Sequence, residues 1–135
     1  MIEELFESLS ADKRAIVKSL KDKESISRED YRKIDAKMIH ILLAHMVDEY
    51  DDEKKEKVKS EWKRLARERV DVEAFYKELN DSENAEKHKG ETRKLSVFEL
   101  RKWFEVKYCE WLECDKFPIR KKKADDPMSF VDFWD

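Results

Sequence analysis

The run Met38-Ile39-His40-Ile41-Leu42-Leu43-Ala44-His45-Met46-Val47 is the longest apolar stretch of the chain, interrupted only by its two histidines. At helical spacing it is apolar on nearly every face, and such a helix is buried. Its ten residues are about half of a membrane span, so they predict the centre of a helical core. Upstream, Ser27 is placed as an N-cap with Asp30 at the third helical position. Ile26 is placed to staple onto Tyr31, close to a capping box. That cap contributes about 1 kcal/mol and fixes a start. One helix is therefore expected from here through Tyr31, Ile34, Met38, Ile41, Leu42 and Val47.

Outward from this segment the pattern stays helical. Ile2, Leu5, Phe6 and Leu9 predict a short opening helix. Ser10 can cap a second, facing inward through Ile16, Val17 and Leu20. Beyond Asp51 or Asp52, the positions Val58, Trp62, Leu65, Arg69, Val72, Tyr76 and Leu79 alternate steps of four and three, a heptad seam. A competing reading breaks this helix at Asp71, with Val70 stapled to Phe75. Residues 80–94 hold no aliphatic side chain larger than alanine and predict the longest and most mobile loop. Ser96 and Glu99 form a second capping box, with Leu95 stapled to Leu100. The last helix runs to about Leu112 with two apolar stripes, Leu100/Phe104/Tyr108/Trp111 and Trp103/Val106/Cys109. The expected fold is all-α: a compact bundle of about five or six helices over residues 1–115, followed by a tail at 116–135.

The chain of 135 residues contains one glycine, Gly90, and two prolines, and 47% of it is charged. Nucleophile elbows and phosphate-cradling loops depend on glycine, so Walker-type and dinucleotide loops are excluded. Four tryptophans, four tyrosines and seven phenylalanines argue for a packed core. Thirty basic against thirty-three acidic residues leave a net charge of −3, without a global pull toward nucleic acid or membrane. The N-terminal Met1-Ile2-Glu3-Glu4-Leu5 is acidic where a leader needs base. Cys109 and Cys114, five apart in the last predicted helix, diverge by about 140°, which argues against a disulfide. Together these features predict a cytoplasmic protein with reduced thiols.

No metal site or cofactor is expected. His40 and His45 diverge on their helix, and no CxxC, HExxH or ExxH pattern occurs. His45 and Asp48 share a helical face but have no nucleophile beside them, and the acidic run at 48–53 complements a helix dipole. The chain is therefore read as a non-enzyme.

The tail is the unusual element. Arg120-Lys121-Lys122-Lys123 is basic, whereas residues 124–135 carry Asp125, Asp126, Asp132 and Asp135 among Met128, Phe130, Val131, Phe133 and Trp134. Burying its aromatics and ordering its backbone are free-energy terms of similar size, so docking on its own domain and binding a partner both stay open. The function expected is a small regulator, adaptor or inhibitor that binds another protein through the last helix (Trp103, Trp111) and the tail. Phe130, Phe133 and Trp134 would anchor, while Asp125, Asp126 and Asp132 steer. An alternative is a nucleic-acid-binding protein using Lys13, Arg14, Arg28, Arg32, Lys33, Arg120, Lys121, Lys122 and Lys123. A charge-dense helical chain of this style also suits a phage or mobile-element inhibitor of a host nucleic-acid enzyme. The heptad seam and the two-striped helix both allow a homodimer.

Overall fold

Serine or aspartate caps decide where most of the helices begin. The computed structural model describes residues 2–120 as helices α1 (Ile2–Glu7), α2 (Ala11–Lys21), α3 (Arg28–Tyr31), α4 (Ala36–Val47), α5 (Asp52–Arg67), α6 (Val72–Glu78), α7 (Ser82–Lys87) and α8 (Val97–Leu112). Two short strands, β1 (Val70–Asp71) and β2 (Thr92–Arg93), pair antiparallel, Val70 opposite Arg93 and Asp71 opposite Thr92. Helices α3 to α8 each open on a side-chain oxygen, from Ser27, Asp35, Asp51, Asp71, Asp81 and Ser96, that accepts a backbone N–H inside the first turn. At Ser96 the capping box is complete, with the Glu99 carboxylate accepting from the Ser96 N–H. Ser10 precedes α2, but its side chain makes no cap hydrogen bond.

Helix α4 is the hub. It packs against α1, α2, α5 and α8, and seven of its apolar side chains, from Met38 to Val47, are buried. Burial of the run around it is what makes so apolar a helix tolerable in water. Helix α8 lies against α4 and closes the core with Leu100, Trp103, Phe104 and Tyr108. The Tyr108 hydroxyl donates to the Leu20 carbonyl, tying α8 to the end of α2.

Three expectations are corrected and one open choice is settled. The helix predicted from Ser27 to Val47 is two helices. The amides of Lys33 and Ile34 bond three residues back, to Asp30 and Tyr31, a tightened turn that ends α3. Asp35 then takes extended backbone and caps Met38 at 3.0 Å. An aspartate favours an N-cap over a helix interior, and the 3.6-residue periodicity carried across the break regardless.

The heptad seam likewise belongs to two helices. Glu68 is extended, β1 follows, and Asp71 caps α6 through the Ala74 amide at 3.1 Å, with Val70 and Phe75 both buried. The break at Asp71 therefore holds, and Arg69 leaves the seam to donate to the Thr92 carbonyl at 2.7 Å.

Residues 80–94 are not one loop. They contain α7, capped by Asp81, and β2, and Ala85 is buried where α7 packs on α6. So small an anchor gives no apolar periodicity to read. The last correction concerns Cys114, which lies beyond the end of α8 rather than within it.

Glycine scarcity is visible in how helices stop. Lys23, Asn80 and Glu113 take left-handed backbone (φ 62, 60 and 56) after α2, α6 and α8. After each, the next amide bonds five residues back: Glu24 to Ser19 (2.9 Å), Asp81 to Tyr76 (2.9 Å) and Cys114 to Cys109 (3.1 Å). This is the Schellman closure that glycine usually serves.

Candidate functional site

Of the aromatic residues expected to face a partner, the two within the described residues differ: Trp103 is buried and Trp111 half-buried. Trp103 is 2% exposed and stacks on Trp62, so it supplies core rather than surface. Trp111 is half-buried: its Nε1 donates to Glu49 at 2.8 Å, its ring meets His45 and Tyr108 edge-on, and Lys23 sits over it at 4.7 Å. The second stripe divides, with Trp103 inside, Cys109 half-buried and Val106 exposed. Asp125, Asp126, Phe130, Asp132, Phe133 and Trp134 lie outside the described residues, as do Lys121, Lys122 and Lys123.

Of the six described basic residues proposed for phosphate contact, Lys13, Arg14, Lys33 and Arg120 are engaged within the chain. Lys13 pairs with Asp35 at 2.7 Å, and Lys33 with Asp12 at 3.1 Å. The Ser10 hydroxyl and Lys33 hold the Asp12 carboxyl down at about 2. Arg14 donates to the carbonyls of Glu7 (3.3 Å) and Leu9 (2.8 Å), and Arg120 to that of Ser25 (2.6 Å). Arg28 lines a hollow at the end of α8.

The buried charge is structural. Glu99, 3% exposed, accepts from both terminal Arg93 guanidinium nitrogens, Nη1 and Nη2 (2.8 and 2.9 Å), from the Tyr76 hydroxyl (2.7 Å) and from the Ser96 amide (2.9 Å). Burial alone would raise this carboxyl, but the Arg93, Ser96 and Tyr76 bonds outweigh it and hold it at about 2. Arg93 is raised in turn, chiefly by Glu99. A carboxylate so fully satisfied fastens β2 to α8 and has no lone pair to offer a substrate.

The surface feature that the periodicity did not announce is a groove of about 890 Å³ between α4 and α5. Ala36, Ala44 and Ala66 are small enough to open it, and Leu43, Val47 and Val58 form an apolar floor. One edge is the row Lys55, Lys59, Lys63 and Arg67, four residues apart on a single face of α5, with Lys37 across from it. Asp48 and Glu56 are its acidic residues, and Asp48 lies 3.8 Å from Lys55. The wall is therefore basic in a chain of net charge −3. Trp62 reaches the wall from below and donates its Nε1 to His40 Nδ1 at 3.2 Å. Since the indole can only donate, His40 Nδ1 is the acceptor of this bond. A legible signal existed in the sequence: an i, i+4 row of four bases on α5 with no acid in it.

Among the described residues no group of three or more His, Cys, Asp or Glu side chains is placed to hold a metal, and no helix is long and apolar enough to cross a membrane. No protein-family model, curated protein or solved structure matches this chain.

Proposed function

We propose that this chain is a small non-enzymatic interaction protein, an adaptor or inhibitor, whose groove between α4 and α5 seats an acidic amphipathic segment of a partner protein. The observation that carries this reading is the pairing of an apolar floor with an unbroken basic row. Phosphate recognition needs the bases alone, whereas an amphipathic segment uses both surfaces at once. The row from Lys55 to Arg67 spans about 18 Å, room for roughly three turns of a bound helix. Helix α8 contributes by fixing α4 from behind rather than by presenting Trp103. Asp125, Asp126, Phe130, Asp132, Phe133 and Trp134 are proposed as a second contact, of opposite sign, for a basic pocket on the partner. If a chain ending at Lys123 captures the same partners as the intact chain, that second contact is removed from the reading.

Fluorescence polarisation with a labelled synthetic peptide of alternating acidic and leucine or tryptophan residues tests the groove. Binding should weaken tenfold or more in the Lys59→Glu/Lys63→Glu variant, and also when the apolar positions of the peptide become serine. Tight binding of random duplex DNA that this variant abolishes, with no binding of the peptide, would assign the row to phosphate and overturn the proposal.

A further inference from the structure

We propose that Cys109 and Cys114 form a dithiol that closes to an intramolecular disulfide when it meets the disulfide of a small thiol such as glutathione. In an unbroken helix the two side chains would diverge. Here α8 stops at Leu112, Glu113 turns left-handed, and the Cys114 amide bonds to the Cys109 carbonyl at 3.1 Å. That bond returns residue 114 to the level of residue 109, and the two thiols lie close enough to share a hydrogen bond. Both cysteines are free and line the same hollow of about 860 Å³.

The two thiols differ in a way that sets the order of steps. Cys114 is exposed, and its thiol donates to the Lys116 carbonyl at 3.1 Å. Cys109 is half-buried. Burial pushes its thiol up to about 11, and the neighbouring Cys114, through charge and a hydrogen bond, together with Glu105 and Asp115, adds to the rise. Cys114 is therefore the first nucleophile. Its thiolate attacks one sulfur of the small disulfide, one small thiolate leaves, and a mixed disulfide forms at Cys114. Cys109 then releases its proton, and its thiolate attacks the Cys114 sulfur. The bond to the second small thiol breaks, and that thiolate leaves. Two protein thiols give up two electrons and two protons, and two molecules of small thiol result. Held beside Cys114, Cys109 resolves the adduct despite its low thiolate fraction, because the step is intramolecular.

The site also has a mechanical consequence. Residues 113–120 form a strap across the core. Phe117 is buried among Tyr31, Phe104 and Tyr108, and Ile26 exchanges backbone bonds with Pro118 (2.9 Å) and Arg120 (2.7 Å). A disulfide would staple the start of that strap to α8.

Intact-mass measurement and free-thiol counting of the native chain in oxidised glutathione test this. The wild type should lose both thiols together and the mass of two hydrogens, with no lasting adduct. Cys109→Ser should keep one glutathione on Cys114, and Cys114→Ser should react at least tenfold more slowly. In the oxidised wild type the Arg120 amide should exchange with solvent at least threefold more slowly. A stable glutathione adduct on the wild type, or two persisting thiols while Cys109→Ser is modified, would overturn the proposal.

Discussion

Trp62 of α5 and Trp103 of α8 lie stacked, ring centroids 5.6 Å apart and planes 16° from parallel. The contact joins the helix that carries the basic row to the helix that closes the core. Trp62 Nε1 has His40 as acceptor, while the buried Trp103 Nε1 finds no hydrogen-bond partner among the described residues. The pair is therefore held by area and packing more than by polar bonds.

Trp103→Ala should destabilise the protein by about 3–5 kcal/mol, the usual loss for a buried aromatic. Urea unfolding of Trp62→Ala, Trp103→Ala and the double variant should give a coupling of about 0.5–1.5 kcal/mol. Strict additivity would show that the rings do not act as a pair.

The Glu99 carboxyl is held at about 2, below its ordinary 4.5. A folded-state value depressed in this way adds stability that is complete above the unfolded value and is lost as pH falls toward the folded one. Stability should therefore decline from about pH 5 to pH 2, by up to about 3 kcal/mol from this group. The decline should be much shallower in Glu99→Gln. Arg93→Met should cost about 3–5 kcal/mol at neutral pH, because it strands a buried charge. Unfolding curves across that pH range check both.

Glu113 sits left-handed at φ 56, where a side chain costs about 1 kcal/mol relative to glycine. Glu113→Gly should raise stability by about that amount and the melting temperature by roughly 3–5 °C. No gain in a thermal melt would show that the side chain compensates locally.

Much of the fold was legible because it rests on local chemistry. The burial of Met38 to Val47, the cap at Ser27, the capping box at Ser96 and Glu99 and the break at Asp71 follow from residue type and spacing. What the sequence concealed depends on competition or on distance. At Asp35, capping beats an apolar period that continues through it. At 82–87, α7 is held by the cap of Asp81 and one buried alanine, Ala85. Between Cys109 and Cys114, a left-handed Glu113 replaces the expected helical turn. Neither tryptophan of α8 could be assigned inward or outward from one helix alone. Trp103 is buried only because Trp62 arrives from α5. The groove is longer-range still, since its floor and its basic row belong to different helices.

Amide chemical-shift mapping of the full-length chain, titrated with the acidic amphipathic peptide at low and moderate salt, tests the docking groove most directly. Shifts should concentrate on residues 36–47 and 55–67, saturate, and weaken as salt rises. Saturating shifts confined to α2 and α3, or none at all in α4 and α5, would contradict it.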